Sequence, residues 1–251
     1  MSTDHVAAPD HFVTQTRDEL AALEDPKIRA VNERHGDDHG VNLTKLRAVA
    51  KNLKAEVKAH AATTDGATAA TATATAAVHE VGLALWNTGE TPLRLVALLI
   101  VRPRDFTADE FDAMLRESRA AKTTAWLTGY LVLKSAHIEE LRTRWLAEPE
   151  HPEVYAAGWA LTADTVVKHP DRLDLPGLLD TLEAEMTDAD ERPQWEMNST
   201  LAMIGIHHES LRARALDIGE RLEVLKDYST PPNCTSPFAP EWITEMVRRQ
   251  Q

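Results

Sequence analysis

Hydrophobic positions along the chain recur at three- and four-residue intervals, and no segment alternates as a half-buried strand requires. "FTADEFDAML" (106–115) sets Phe111, Met114 and Leu115 on one stripe behind Thr107 and Glu110, the two residues of a capping box. "ETPLRLVALLIV" (90–101) reads as a helix with Thr91 as N-cap and Pro92 at the first helical position, where a missing N–H costs nothing. "LDLPGLLDTLEAEM" (173–186) offers Asp174 as a cap and Leu178, Leu179, Leu182 and Met186 as a buried face. "HHESLRARALDIGERL" (207–222) repeats the pattern through Leu211, Ala215, Ile218 and Leu222, and "HPEVYAAGWALTADTVV" (151–167) again opens near a proline. The pattern predicts an all-α chain of helices, each roughly 10–18 residues long, joined by short polar turns.

Spacing decides between a bundle and a solenoid. Trp86, Trp126, Trp159 and Trp195 fall 40, 33 and 36 residues apart, near the length of a two-helix HEAT-like unit. A single domain of stacked helix pairs over 1–251 is therefore expected. Two stretches break the rhythm. Residues about 60–77 are Ala/Thr low complexity, too poor in apolar bulk to hold themselves, and predict a mobile loop or a frayed helix extension. Residues about 227–251 are proline-rich, then amphipathic through Trp242, Ile243, Met246 and Val247, a tail suited to capping the end of a stack.

Composition agrees with helices: 43% hydrophobic, 5% aromatic and only 10 glycines. The longest strongly apolar run, "LVALLIV" (95–101), is far short of a membrane span, and "MSTDHVAAPD" has no signal-peptide pattern. A single cysteine, Cys234, leaves no intrachain disulfide and no Cys-based zinc site. A cytoplasmic protein without membrane contact or cofactor is expected. The net charge of −13 works against indiscriminate attraction to nucleic acid. Its distribution changes the picture. Residues 27–58 hold eight basic and four acidic side chains, whereas residues 148–196 hold three and thirteen.

Within the basic segment Arg47, Lys51, Lys54 and Lys58 recur at helical spacing beside the apolar stripe Leu46, Leu53 and Val57. That row suits DNA phosphates, or is simply a solvated face. Arg102 and Arg104 flank Pro103 in a turn and could assist. "HGDDH" (35–39) invites a metal reading, but no second ligand cluster accompanies it and a structural turn is favoured. His207 and His208 read as turn residues. In "KTTAWLTGYLVLK" (122–134), Trp126 and Tyr130 share a helical face; with Trp159 they are candidates for a ligand-facing wall, or for core.

Four stretches, in order, resemble the DNA alkylation repair family, the HEAT-like-repeat DNA glycosylases of the AlkD type: "HGVNLTKLRAVAKNLK" (39–54), "LALWNTGETPLRLVALLI" (83–100), "WEMNSTLAMIGIHHESLRARALDIGERL" (195–222) and "NCTSPFAPEWI" (233–243). The resemblance implies a curved stack of helix pairs that holds duplex DNA on its concave face. In active members it implies excision of cationic N3- or N7-alkylated purines. Departure of such a base leaves oxocarbenium character on the sugar, which a carboxylate stabilises. Family catalysts carry an aspartate four residues after a tryptophan. Here Trp126 matches the tryptophan and Tyr130 stands at the acid's position, with no Asp or Glu between Arg119 and His137. A phenol, ionising near pH 10, supplies no anion at neutral pH. The arginine expected near the start of "VYAAGWALTADT" is replaced by alanines and Gly158, and the late tryptophan's place falls near Ser199, one turn after Trp195. Asp164 and Glu196 are the nearest alternative carboxylates, Asp164 lying about 140° around the helix from Trp159. The sequence thus points to a DNA-binding relative with reduced or lost base excision. An active alkylpurine glycosylase and a protein-binding scaffold are the alternatives.

Overall fold

The computed structural model describes residues 9–64, 70–231 and 233–250. They form α1 (Pro9–Ala22), α2 (Pro26–Glu33), α3 (Leu43–Thr64), α4 (Ala70–Asn87), α5 (Thr91–Ile100), α6 (Ala108–Glu117), α7 (Ala121–Trp126), α8 (Ile138–Leu146), α9 (Pro152–Lys168), α10 (Leu175–Glu185), α11 (Glu191–His207), α12 (Glu209–Leu222) and α13 (Ala239–Gln250). Among the described residues the single extended pairing is an isolated bridge between Glu24 and Val41. No described helix is long and apolar enough to cross a membrane. Packing divides the chain into two compact units between Ala136 and His137.

The first unit is built around α5. Eight of its ten residues are buried, as expected of a helix apolar on all sides, and α3, α4 and α7 pack on it. α3 contributes Leu46, Val49, Ala50, Leu53, Val57 and Ala61, and α4 contributes Ala74, Val78, Val81 and Leu85, both at helical spacing. Of the two alternatives for the Ala/Thr stretch the helical one holds from Ala70 onward, where Ala74 packs into the core, because alanine has the highest helix propensity and its small side chain admits a close neighbour. Residues 65–69 lie outside the described ones. The start of α5 also shifts by one residue. Its N-cap is Glu90, with no side-chain capping bond, because the Glu90 carboxylate instead accepts from Nε and Nη2 of Arg17 at 3.0 and 2.7 Å. The box at α6 forms as the sequence requires, with Glu110 N donating to Thr107 Oγ1 at 3.2 Å and Thr107 N donating to Glu110 Oε2 at 2.8 Å.

Buried Arg94 fastens the end of α4 to the end of α6. Its Nε donates to the Trp86 carbonyl at 3.0 Å, its Nη1 donates to the Glu117 carbonyl at 2.8 Å, and its guanidinium lies 4.5 Å from the Trp86 ring centre. Trp86 Nε1 in turn donates to Glu117 Oε2 at 3.0 Å.

In the second unit α9 and α11 pack face to face, and Trp159, Leu179, Leu182, Met186, Met197, Leu201, Ile204 and Ile218 fill the core. Asp174 caps α10 by accepting from Gly177 N at 3.1 Å. α13 closes on α11 and α12 through fully buried Ile243, with Trp242, Met246 and Val247 against the same core. The approach is close enough that a Cβ on Gly205 would sit 2.4 Å from Ile243 Cδ1, and one on Gly219 2.7 Å from Pro240. His208 links α9 to this layer, its Nε2 donating to the Val166 carbonyl at 2.9 Å.

Candidate nucleic-acid interface

The helix bearing Trp126 does not stay α-helical. After α7 the segment Leu127–Leu131 is a π-helical turn, followed by a 3₁₀ turn over Val132–Lys134. The Val132 N–H bonds to the carbonyls of both Leu127 and Thr128, so the backbone widens by one residue, a distortion often found at functional sites. Leu127, Thr128, Leu131 and Val132 are buried on the inner side of the turn. Trp126, Gly129 and Tyr130 are half-buried on the outer side. Leaving aside its chain neighbours, a Cβ on Gly129 would meet nothing within 4 Å, so the surface at that position has room for a side chain.

The start of this helix is braced from below by the "HGDDH" turn. The carboxylate of Asp37, 3% exposed, accepts from the amine of Lys122, one turn before Trp126. His39 is fully buried, and its Nδ1 accepts from the Val41 N–H at 3.2 Å. Burial depresses the His39 pKa and Lys122 adds to that, against the opposing pull of Asp37, Glu24 and Asp38. Gly36, at φ +78°, makes the reversal beside Ala121, a backbone angle suited to glycine.

Four side chains meet above the π turn. The rings of Trp126 and Tyr130 are 5.1 Å apart and tilted by 45°. The Arg47 guanidinium of α3 lies 5.2 Å from the Trp126 ring centre, and its Nη2 donates to the Tyr130 hydroxyl at 3.4 Å. Lys134 Nζ lies 5.3 Å from the Tyr130 ring centre. Both distances fall within cation–π range. Since the phenol oxygen accepts from Arg47, its own hydrogen is free to be donated outward. Lys134 escaped the sequence reading, although its place one turn past Tyr130 was the available signal.

From Arg47 the cluster continues along α3 as the predicted stripe: Arg47, Lys51 and Lys58 are exposed and Lys54 is half-buried. Burial, then Lys58 and Arg102, lower the Lys54 pKa, while Asp105 partly offsets them. Arg102 is itself paired, its Nε and Nη2 donating to Asp105 at 2.8 Å each. Among the described residues, Arg47, Lys51, Lys58 and Lys134 have no ion-pair partner. Most other arginines do: Arg17 with Glu90, Arg29 with Glu24, Arg142 with Glu139, Arg214 with Asp180, Arg221 with Glu183 and Asp217, and Arg248 and Arg249 with Glu245. In a chain with 40 acidic and 27 basic residues, a row of unpaired cations ending on two aromatic rings is a built feature of the first unit.

The other candidates belong to the second unit. Trp159 is 2% exposed within the second unit's core, which corrects its assignment to a ligand-facing wall: α11 covers the helix face it occupies. Asp164 is ion-paired to Lys168 at 2.7 Å. Burial raises the Glu196 pKa against the influence of Arg192, which makes it a poorer anion. Cys234 is exposed in the tail.

The model of the family described as "DNA alkylation repair enzyme" matches residues 16–243. The chain belongs to that family. Its fold is that of the HEAT-like-repeat glycosylases: a solved structure from "a new family of proteins related to the HEAT-like repeat DNA glycosylases with affinity for branched DNA structures" superposes with a TM-score of 0.68 over 95% of this chain and 94% of that one, at 18% identity. Among curated proteins nothing matches this DNA alkylation repair family member.

Proposed function

We propose that this family member binds DNA through the basic–aromatic face of its first unit and has little or no base-excision activity. The observation that carries the reading is who occupies the rings. Trp126 and Tyr130 are each covered by one of the protein's own cations, and Tyr130 stands where family catalysts carry a carboxylate. A cationic base brought to about 6 Å from one such charge is repelled by about 3 kcal/mol at an effective dielectric near 20, roughly a hundredfold in occupancy. A phosphate is attracted by the same amount. The unpaired stripe and the outward Tyr130 hydroxyl both suit phosphate oxygens. The neighbour's described affinity for branched DNA is consistent with a partner of this class.

The test pairs binding with chemistry. Duplex carrying N7-methylguanine should be bound and released intact, with free base no faster than in its absence. Arg47→Ala combined with Lys51→Glu should weaken binding at least tenfold. Base release that Trp126→Ala abolishes would replace this reading with the glycosylase one. Binding indifferent to the Arg47 and Lys51 changes would remove the face from consideration.

A further inference from the structure

Past Lys51 the stripe ends at a small pocket between α3, α4 and the 3₁₀ turn Pro103–Asp105, with a volume of about 100 Å³. Lys54 and Lys58 line it from α3, Thr75 and His79 from α4, and Arg102 with Asp105 from the turn. Three cations thus converge on one pocket. The single carboxylate there, Asp105, has both oxygens engaged by Arg102, and Nη1 of Arg102 reaches Thr75 Oγ1 at 3.4 Å. His79 is held edge-on against Phe106, ring centres 4.9 Å apart, and its Nδ1 is buried with no hydrogen-bond partner.

Size narrows the occupant. A cavity of about 150 Å³ is what admits benzene, so neither a purine nor a pyrimidine enters this one. A tetrahedral oxyanion does. We infer that the pocket seats a single phosphate group of DNA, held by Lys54, Lys58 and Arg102 with His79 as a further hydrogen-bonding group. Its source rests on the DNA-binding reading above, whereas its chemistry does not. The direction of the Lys54 shift agrees: burial and the neighbouring cations lower its pKa, and a bound anion opposes both.

Two sources present this group, a terminal phosphomonoester and an internal phosphodiester. The experiment titrates the full chain, by calorimetry, with inorganic phosphate, and then by fluorescence with one duplex bearing either a 5′-phosphate or a 5′-hydroxyl. Inorganic phosphate should bind at millimolar concentration, and Lys54→Met, which keeps the packed stem, should weaken it at least tenfold. Lys168→Gln, in the other unit, should leave it unchanged. A tenfold preference for the phosphorylated end that Lys54→Met erases assigns the pocket to DNA ends. Equal loss on both duplexes assigns it to internal phosphates. Phosphate binding that survives Lys54→Met, or none at all in the natural chain, overturns the pocket even where duplex binding persists. Phosphate binding without any duplex binding leaves the pocket standing and removes the DNA reading. His79→Phe, checked for an unchanged melting temperature, should weaken phosphate binding without removing a cation.

Discussion

At the residue scale the most consequential contact outside the interface is the buried pair Asp37–Lys122. Asp37 Oδ1 and His39 Nε2 are both buried without partners, so the turn depends on Lys122 to balance the carboxylate. Removing one partner of a buried pair costs about 3–5 kcal/mol, because the other charge stays in place. Lys122→Met should therefore lower the unfolding free energy read from urea titration by that amount, and Asp37→Asn added to it should recover most of the loss. His39 gives this turn a pH signature. Its folded pKa lies below the ordinary 6.5, so the unfolded chain takes up the proton first. Its contribution is complete above pH 6.5 and is lost as pH falls toward the folded pKa, at no more than about 1.4 kcal/mol per unit. In His39→Asn, which keeps an acceptor for the Val41 N–H, that part of the acid loss between pH 7 and 5 should vanish.

At the element scale, the contacts that lock the second unit's last helix are made by residues with no side chain. Gly205→Ala would force Cβ against Cδ1, Cγ1 and Cγ2 of Ile243 at 2.4, 2.8 and 3.2 Å. Overpacking of this kind costs about 1–3 kcal/mol, and hydrogen exchange should show the loss concentrated in α13. Helices of this chain were legible because their signals are local: Thr107 with Glu110, Asp174 with Gly177, the apolar stripe of α3. What was not legible depended on distant partners. Thr91 reads as a cap until Arg17, 73 residues from Glu90, redirects the neighbouring acid. Even tryptophan spacing suggested equivalent roles, yet Trp86 and Trp159 are buried and Trp126 is not. No residue pattern announced the π turn, since it follows from how Leu127, Leu131 and Val132 are received by the core. Tyr130 and the stripe were legible; that Arg47 sits on the Trp126 ring was not, because it reaches that ring from another helix.

At the scale of the whole molecule, binding to a polyanion must overcome a net charge of −13. Screening decides whether it can. At physiological ionic strength the Debye length is about 8 Å, so a phosphate on the α3 face feels chiefly the charges within that reach. Arg47 to Lys58 spans eleven residues, about 16 Å at 1.5 Å per residue, which matches about five phosphate steps of one strand along the duplex axis. With Lys54 and Lys58 sharing one phosphate, Arg47, Lys51 and the pocket engage three, which gives a log–log salt slope of about −2.7. Between 50 and 200 mM salt that slope should be observed, and Lys51→Gln should reduce its magnitude by about 0.9. Lys168→Gln, already paired with Asp164, should not change it. Below about 10 mM the Debye length reaches about 30 Å, the acidic surface comes into range, and affinity should rise less than the slope extrapolates. Gly129→Glu separates this from a general charge effect. It adds one carboxylate at a position beside Trp126 and Tyr130 where a new side chain meets no packed neighbour, and should weaken binding about tenfold at constant melting temperature. A slope near zero in the natural chain, or a Gly129→Glu variant that binds as well as before, would mean that DNA does not lie on this face.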